Sequence, residues 1–541
     1  MNKHLLKWIY PSLWLIRVYF AMCGAAYIHP DEHMQNAEVS AGVLGYYTHQ
    51  TWEWNPSFPV RSIIPPFITT ATPMLFLNLI LSDRIHPAQL FYAGRLLFLA
   101  LSMLLDYILI RLIAMPDARR LGLLLLASSH VVLTFQVRPF SNSIESVLVA
   151  SSLALLRRVV SVLPESADKR PMRALCGLAV LFVAGTFARP TFLVFASPIA
   201  WQVVRWSIKT ATLSEQGNAL LQLTSWLQLV VLPFVTAIFT SACFISIDSA
   251  YFRGDIRALV VTPLNFLLYN FSPENLAGHG LHPRWLHLFV NIPILIGPWI
   301  MWFVLHTIYQ FLLSSDLKGV HQKDVATQTI DRTIIYMAIS SISILSIQPH
   351  QELRFITPLF LPIIVLVSNS GQIVRVGKVF WLLWIISNSA LAVMFGILHQ
   401  GGVVPSLLHL HDKLMSISSS QPVHIIYWKT YMPPRYLLGI HNQDYSPGQI
   451  HLTDLAGAPR DGLFNAVTSA PWKNTCVITP IAMHSTLPDS ITKCTTLGHR
   501  VFPHLDLDHI SESVQAGWRD GLTLGVYDVD TGCVESIDQF Q

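Results

Sequence analysis

The chain has 541 residues, of which 52% are hydrophobic and only 12% are charged. Ordinary soluble domains contain about 25% charged residues, so this composition excludes a single soluble globule. The formal net charge of +4 comes from Lys and Arg scattered through short loops, which argues against a nucleic-acid-binding protein. The composition therefore predicts a polytopic membrane protein.

The first apolar segment, Trp8 to Ile28, follows Lys3 and Lys7 and is long enough to cross a bilayer. Basic residues before an apolar run are typical of a signal anchor, although Arg17 lies within this one. Small residues near its end leave a cleaved signal peptide as the alternative. Because the apolar part is long for a cleaved peptide, we expect it to be the first span.

Further apolar runs recur to about residue 399, and we expect about eleven transmembrane helices. The stretch from Ile63 to Leu81 contains Pro65, Pro66 and Pro73, which interrupt helical hydrogen bonding. We therefore expect a re-entrant or interfacial pair of short helices there. Basic residues occupy alternate loops, which places the other loops on the side opposite the cytosol. The basic loops contain Arg119, Arg120, Arg205, Lys209, Arg375 and Lys378.

Beyond residue 400 the segments become short, mixed and rich in Pro, Gly, Asp and His. We therefore expect an all-α transmembrane catalytic region at 1–399 and a small mixed luminal domain at 400–541. Residues 476–479 and 522–527 read as strands, whereas the start of the tail carries no clear strand signal. In an oxidising lumen Cys476 and Cys494 are a candidate disulfide, with free thiols as the alternative.

The main polar clusters lie at span ends, opposite the basic loops. The first is the sequence His29-Pro-Asp-Glu-His33, followed by Gln35, and its paired carboxylates are costly in hydrocarbon. An ordinary polar helix end is the alternative interpretation. A transporter would place polar groups near the bilayer midplane, so the arrangement favours an enzyme at the membrane face. The other clusters contain Trp52, Trp54, Arg138, Arg189, His279, His282, His350 and Arg354.

These residue types suit sugar transfer from an anionic, lipid-linked donor. Arginine binds phosphate oxygens bidentately, so Arg138, Arg189 and Arg354 are candidates for holding the leaving group. A carboxylate would accept the proton of the acceptor hydroxyl, with Asp31 the first choice and Glu32 the second. One general base is sufficient for inversion when the leaving group is a phosphate that needs little protonation.

Several candidates have a plainer interpretation. Trp52 and Trp54 are either sugar-stacking platforms or interfacial anchors. His279 and His282, with His287, have the spacing of a metal site, but loop histidines are more often hydrogen-bonding groups. We expect no metal. The candidate acceptor or sugar-binding residues are His29, His33, Gln35, Trp52, Trp54, His279 and His282.

Two Asp-x-Asp sequences in the tail, at residues 506–508 and 528–530, resemble the metal-binding motif of nucleotide-sugar enzymes. Such two-residue coincidences are common, and neither sequence lies beside a recognisable nucleotide-binding unit. The chain also contains no Gly-rich phosphate loop followed by a helix. The sequence therefore argues against a nucleotide donor.

Taken together, these motifs resemble the glycosyltransferase family 22 mannosyltransferases, through about residue 370. The resemblance implies the GT-C fold and a multi-pass location in the endoplasmic reticulum membrane. It also implies a luminal active site and dolichyl phosphate mannose as the donor. The matching segments are residues 29–35, 52–54, 61–62, 138–145, 189–190 and 350–355.

Within that family, residues 29–33, 349–355 and 427–439 look most like the subgroup that extends the GPI-anchor precursor by a fourth mannose. The resemblance implies an α-1,2 linkage to the third mannose, formed by inversion of a β-linked donor, without a cofactor. Other subgroups typically carry Lys where Gln351 stands, so we place the phosphate-binding role on Arg354, with His350. The alternatives are a sister mannosyltransferase, acting on the third GPI mannose position or the dolichol-linked N-glycan precursor, and a lipid or sugar transporter.

Overall fold

The computed structural model describes residues 3–81, 85–162, 170–214, 218–272, 275, 280–314, 324–416, 422–442, 450–468, 474–487 and 489–538. The chain divides into two compact units. The first comprises Met1–Arg17, Thr51–Pro65 and Phe98–Asn388, and the second comprises Val18–Gln50, Pro66–Leu97 and Ser389–Gln541. The tail therefore belongs to the same compact unit as two N-terminal segments. The expected division at residue 399 marks the change in hydropathy along the sequence.

The first unit consists of apolar helices around one core, because most of its segments present Leu, Ile, Val and Phe at helical spacing. Leu109, Leu153, Phe195, Ile334 and Ile364 are all fully buried in this core. Its helices, some of which extend past the unit boundaries, are Lys3–Cys23, Pro87–Leu112, Pro116–Ser128, Ser141–Val160, Met172–Ala188, Phe192–Ser214, Ala219–Arg253, Thr262–Phe271, Ile292–Ser314, Val325–Ile347, Phe360–Asn369 and Lys378–Val393.

Six helical runs in the described part of the chain are long and apolar enough to cross a membrane. They confirm a polytopic, mostly helical membrane protein, but they do not confirm a count of eleven spans. Two shorter apolar helices, Met172–Ala188 and Leu353–Asn369, accompany them. The six runs are Ile64–Leu81, Pro87–Leu112, Ala219–Arg253, His287–Leu313, Val325–Ile347 and Lys378–Leu398.

The expectation of two short helices between Ile63 and Leu81 is wrong, because Ile64–Leu81 is one continuous helical run. Pro65 and Pro66 lie in its first turn, where a backbone N–H has no helical acceptor to bond. Residues Phe67–Ala71 then form a π-helical turn before Thr72–Leu81 resumes the α-helix. These two prolines thus interrupt little hydrogen bonding, whereas Pro73 lies inside the run, just after the π-helical turn.

Arg17, the charge within the first apolar segment, is paired inside the first unit. Its guanidinium bonds Asp106 with Nη2–Oδ1 and Nη1–Oδ2 distances of 3.0 Å, and both side chains are buried. A charge in an apolar helix is stable only when such a partner satisfies it. The pair therefore explains how Arg17 is accommodated.

The tail contains a five-stranded sheet, which confirms that this part of the chain has mixed secondary structure. Its strands are β1 (Val423–Tyr427), β2 (Ile450–Asp454), β3 (Asn474–Pro480), β4 (Thr495–Val501) and β5 (Leu524–Val529), in the order β2-β1-β3-β5-β4. Strand β1 pairs in parallel with β2 and β3, while β5 is antiparallel to β3 and β4. The two expected strands correspond to β3 and β5, and the start of the tail contains β1 and β2, which the sequence did not signal.

Helices cover both faces of this sheet. Side chains of β1, β3 and β5 alternate between two cores, as a strand requires. Helix Val403–Ser416 packs on one face, while Arg460–Thr468 and Thr531–Asp538 pack on the other. The remaining short helices of the second unit are Glu38–Val43, Ile481–His484, Asp489–Thr492, Ile510–Gln515 and Gly517–Gly521.

The disulfide links Cys494 to Cys533, so the expected pairing of Cys476 with Cys494 is wrong. Cys476 lies in β3 and packs on the face covered by helix Val403–Ser416. Cys494 and Cys533 belong to the core on the opposite face. The sheet therefore separates Cys476 from both disulfide partners, a separation that spacing along the chain does not reveal.

Candidate active site

Asp31 lies in the second unit, in the first turn of a helical run that begins after Pro30 and continues to Val43. Its side chain is 22% exposed. Gln35 donates a 2.5 Å hydrogen bond from Nε2 to one carboxylate oxygen, and His29 Nδ1 lies 3.4 Å from the other. The positive end of the helix dipole favours a negative charge at this position. Asp31 is thus an oriented carboxylate that solvent and small solutes can reach.

Glu32, the next residue, is fully buried and forms an ion pair with Arg95. Arg95 Nη2 lies 2.5 Å from Glu32 Oε1, and Nη1 donates to the carbonyl of Gly24 at 2.6 Å. The guanidinium also lies 4.0 Å over the ring of Phe91. Sequence reasoning missed Arg95, although a lone charge inside an apolar helix was a signal for it. The two neighbouring carboxylates therefore differ sharply in access.

His33 and Gln35 are buried beside them, with exposed fractions of 1% and 3%. The His33 ring packs edge-on against Tyr27 at 4.9 Å and stacks on Phe91 at 6.0 Å. Tyr436 brings its hydroxyl to 3.4 Å from His33 Nδ1. His33 is therefore enclosed by aromatic rings, and Gln35 contacts the carboxylate of Asp31.

A second polar cluster surrounds Phe355 in the first unit. The guanidinium carbons of Arg189 and Arg354 lie 5.5 and 5.3 Å from the centre of this ring, and the His350 ring lies 5.5 Å from it. Glu352 accepts bonds from Arg354 Nε at 2.5 Å and Nη2 at 2.8 Å. Its Oε1 is also 2.6 Å from His350 Nε2. The structure thus brings three of the expected phosphate-binding residues together around one aromatic ring.

Arg189 is also held by a carboxylate. Glu145, which is fully buried in helix Ser141–Val160, lies 3.3 Å from Arg189 Nε. Thr191 donates a 2.7 Å bond to the same carboxylate. Arg138 precedes this helix and is fully buried. The chain motifs contained Glu145 and Glu352, but sequence reasoning did not recognise them as partners of the arginines.

The side chain of Gln351 hydrogen-bonds four backbone groups around the loop that carries His350. Its Oε1 accepts the backbone N–H of His287 at 3.0 Å, and its Nε2 donates to three backbone carbonyl groups at 3.2–3.4 Å. His282 accepts the Gln351 N–H at 3.3 Å, and its ring lies 5.7 Å from that of His350. His279 lies outside the described residues. Gln351 therefore holds the backbone, which is a role for its uncharged amide.

The two tryptophans differ in exposure. Trp52 is 44% exposed and stacks on Tyr269, with ring centres 4.1 Å apart and planes at 18°. Trp54 is 1% exposed and packs near Phe252 at 6.4 Å. Only a ring with an open face can stack on a sugar. Trp52 meets this condition in the structure, and Trp54 does not.

Two further buried carboxylates of the first unit, Asp248 and Glu53, bond side chains in its loops. Asp248 accepts hydroxyl bonds from Ser62 and Thr262, each at 2.9 Å. Glu53 bonds Arg61 with an Oε1–Nη2 distance of 2.7 Å. Each of these groups has partners within the chain, as burial of a charge requires. They hold the segment that carries Trp52.

The tail aspartates have partners within the tail itself. Asp506 accepts a 2.6 Å bond from His509, and Asp528 accepts a 2.7 Å bond from Lys413. Burial is the main cause that raises the pKa of Asp506 above its ordinary value. Both carboxylates thus bond other residues of the tail.

His86, His411 and Asp412 offer three ligand atoms within 4.8 Å of one another. His86 Nδ1 accepts the N–H of Ala88 at 3.2 Å, so the proton of the neutral ring is on Nε2, which faces Asp412 at 3.2 Å. His411 Nδ1 bonds the carbonyl of Leu438 at 2.7 Å. A metal ligand needs an unprotonated nitrogen. The bonds of His86 therefore favour a hydrogen-bonded cluster over a metal site.

The chain is similar to known mannosyltransferases. The sequence pattern of the Alg9-like mannosyltransferase family matches residues 8–438. GPI mannosyltransferase 4 of Emericella nidulans is 34% identical over 80% of this chain and 76% of its own length. Human GPI alpha-1,2-mannosyltransferase 4 is 32% identical over 97% of this chain and 94% of its own length. Both matches extend well beyond the motifs of the candidate site.

The fold has a remote likeness among solved structures. The crystal structure of ArnT from Cupriavidus metallidurans in the apo state superposes with a TM-score of 0.52 and 9% identity. The likeness covers 96% of this chain and 97% of ArnT, and at this identity it shows the fold alone. The family pattern spans most of the chain, and the two relatives match 80% and 97% of it. The chain therefore belongs to the Alg9-like mannosyltransferase family.

Proposed function

We propose that this chain transfers mannose from dolichyl phosphate mannose to the third mannose of a GPI-anchor precursor. The product is an α-1,2-linked fourth mannose, formed by inversion at the luminal face of the endoplasmic reticulum membrane. The names of the relatives at 32–34% identity support the GPI precursor as acceptor. The apolar helical runs support a lipid-linked donor, whose tail stays in the bilayer.

Asp31 is the general base of this proposal, and its partial exposure is the observation that carries the assignment. The acceptor 2-hydroxyl loses its proton to Asp31 while its oxygen attacks C1 of the donor mannose. The bond between C1 and the phosphate oxygen breaks, and dolichyl phosphate leaves with the bonding electrons. This single displacement inverts the configuration at C1, and it requires no metal ion.

Glu32 is the weaker candidate for the base, because its carboxylate is buried against Arg95. An acceptor hydroxyl cannot approach a fully enclosed oxygen without breaking that ion pair. We therefore assign Glu32 and His33 to support of the Asp31 turn. Gln35 orients the Asp31 carboxylate through its hydrogen bond, and His29 Nδ1 accepts the backbone N–H of Asp31 at 3.2 Å.

The arginines around Phe355 are the proposed phosphate site. The guanidinium groups of Arg189 and Arg354 lie 5.5 and 5.3 Å from the centre of the Phe355 ring. Two positive charges beside one ring can bind the phosphate oxygens of the departing lipid phosphate. Glu352 bonds both Arg354 and His350, so the phosphate competes with this carboxylate for their donors. Arg138, which is buried just before helix Ser141–Val160, is the third arginine that we propose for phosphate binding.

Trp52 is the proposed sugar platform, and Trp54 a packing residue. The open face of Trp52, already stacked on Tyr269 from one side, provides an aromatic surface at which a sugar ring can rest. His282 lies against His350, which associates it with the phosphate cluster. These assignments divide the candidate residues into those that contact substrate and those that shape the site.

The glycolipids that accumulate in cells without this protein test the proposal. Cells in which the gene is deleted should accumulate GPI precursors with three mannoses, and the wild-type gene should restore a four-mannose species. Accumulation of a two-mannose precursor, or of truncated N-glycan precursors, would instead indicate a sister mannosyltransferase. Unchanged glycolipids, together with loss of lipid or sugar movement across the membrane, would indicate a transporter.

A further inference from the structure

A loop of the tail, residues 428–440, packs against the N-terminal segment that carries Asp31. We call residues 428–440 the tail loop, and it follows strand β1 directly. Both segments belong to the second unit. The tail loop and the Asp31 segment lie far apart in sequence, and one hydrogen bond between them joins residues that are 397 positions apart. This contact places the start of the tail beside the proposed base.

Glu38 provides the centre of this contact. It lies about two turns after Asp31 in the same helical run, and its side chain is fully buried. Its Oε1 accepts the backbone N–H of His49 at 2.8 Å and of Arg435 at 3.0 Å. Its Oε2 lies 3.5 Å from the N–H of Tyr436. One carboxylate thus ties the Asp31 helix to the tail loop by backbone bonds, which have little freedom to move.

Two tyrosines hold the turn itself. Tyr27, just before the turn, donates its hydroxyl to the carbonyl of Met432 at 3.0 Å. Tyr436 reaches His33, just after Asp31, with its hydroxyl 3.4 Å from Nδ1. Tyr27 and Tyr436 are both buried. The tail loop therefore contacts the chain on each side of Asp31.

We infer that the tail loop positions the Asp31 carboxylate for catalysis, with Glu38 and Tyr27 as positioning residues that do not contact substrate. This inference rests on the proposed role of Asp31 as base. Rates of proton transfer depend on placement within a fraction of an ångström, and a displacement of about 1 Å can cost about a hundredfold in rate. The tail is then part of the catalytic architecture, although the proposed reaction uses none of its side chains.

Two tyrosines of the second unit provide a matched test. Tyr27 and Tyr427 are both fully buried, and each hydroxyl bonds a distant part of the chain, while that of Tyr27 also lies 3.4 Å from the carbonyl oxygen of Pro30. Tyr427 bonds Ser406 at 2.9 Å, and both of these residues lie within the tail. Tyr27→Phe and Tyr427→Phe should therefore destabilise the protein alike. Only Tyr27→Phe loosens the turn that carries Asp31.

Kinetics of the purified full-length variants decide the inference. Tyr27→Phe should lower kcat about fivefold to tenfold, with KM for donor and acceptor changed by less than about twofold, because orientation of the base is lost while binding is kept. Tyr427→Phe should keep kcat within about twofold of wild type. Equal kcat values for the two variants would overturn the inference.

Two substitutions of Glu38 provide a second test, because one of them should retain the kcat that the other loses. Glu38→Ala removes the acceptor of all three N–H groups, whereas Glu38→Gln keeps one oxygen for His49 and Arg435. We expect Glu38→Ala to lose at least about tenfold in kcat and Glu38→Gln to recover most of it. If Glu38→Ala does not fold, the tyrosine pair decides. A wild-type protein that makes no four-mannose product would refute the proposed function, whereas an active wild type with unaffected variants would refute this inference alone.

Discussion

Glu32 and Arg95 form a buried ion pair, 2.5 Å apart, immediately beside a partly exposed carboxylate at Asp31. The chain thus presents two adjacent acids with opposite surroundings. One is neutralised in the interior by an arginine of another helix, and the other is open at the start of a helix. This difference is the reason why we propose Asp31, and not Glu32, as the general base.

Because Glu32 and Arg95 form a buried ion pair, substitutions of the two residues should have coupled effects on the free energy of unfolding. Arg95→Met should lower the free energy of unfolding by about 3–5 kcal/mol, because it leaves Glu32 charged and buried without a partner. The double variant Arg95→Met with Glu32→Gln should recover part of this loss. Thermal unfolding of the four proteins in one detergent measures the coupling. Additive effects of the two substitutions would contradict a direct pair.

The phosphate cluster predicts a specific requirement for guanidinium. Arg354→Lys keeps the charge but loses the forked donors that bind Glu352 and, in our proposal, phosphate. We expect KM for dolichyl phosphate mannose to rise about tenfold, with a smaller change in KM for the acceptor. Arg500→Lys, an exposed ion-paired arginine in the tail, is the control. Equal donor KM values in both variants would remove Arg354 from the donor site.

Burial raises the pKa of Glu38 to about 7 from its ordinary 4.5, and the three backbone N–H groups only partly oppose this rise. The folded protein therefore holds the Glu38 proton more tightly than the unfolded chain does. The free energy of unfolding contributed by Glu38 must then fall as pH rises from 4.5 to about 7.

Stability measured against pH tests this assignment. Glu38→Gln cannot ionise, so its free energy of unfolding should increase relative to that of the wild type as pH rises from 4.5 to about 7. His49, beside Glu38, has a lowered pKa, mainly because of burial, and acts with the opposite sign. Because His49 is present in both proteins, the difference between them isolates Glu38. A difference that is constant with pH would contradict a raised pKa.

The disulfide predicts which cysteines are protected. Cys494 and Cys533, 39 residues apart, should be labelled by a maleimide only after reduction and unfolding. Cys494→Ser should destabilise the protein by about 2–4 kcal/mol, because the closed loop limits the unfolded chain. Cys476→Ala is the control that leaves the bond intact. Loss of the disulfide in Cys476→Ala would instead support the pairing of Cys476 with Cys494 and contradict the bond between Cys494 and Cys533.

Features that depend on neighbouring residues in the chain were predicted best from the sequence. Hydropathy identified a polytopic helical protein, residues 476–479 and 522–527 predicted strands β3 and β5, and the motifs identified the mannosyltransferase family. The prolines near Ile64 misled because their effect depends on their position in a helix, and the first turn tolerates them. Local patterns therefore predicted most of the fold class but not how each helix forms.

The candidate site depends on contacts between distant residues, which explains what was missed. Arg95, Glu38 and Tyr27 act through partners far away in sequence, and no spacing rule points to them. Strands β1 and β2 are similarly defined by their parallel pairing, not by a strong pattern of their own. The roles assigned to Asp31, Arg189 and Arg354 stay predictions until activity is measured.

Transfer by purified protein tests the central role of Asp31 most directly. The protein, in detergent, is incubated with dolichyl phosphate mannose and a three-mannose GPI precursor. Wild type should form a four-mannose product that an α-1,2-specific mannosidase converts back to the three-mannose precursor. Asp31→Asn should lower kcat by at least about a hundredfold, the usual contribution of a general base, with unchanged thermal unfolding. The exposed Asp412→Asn should retain the wild-type rate. Near-normal transfer by Asp31→Asn would contradict the account.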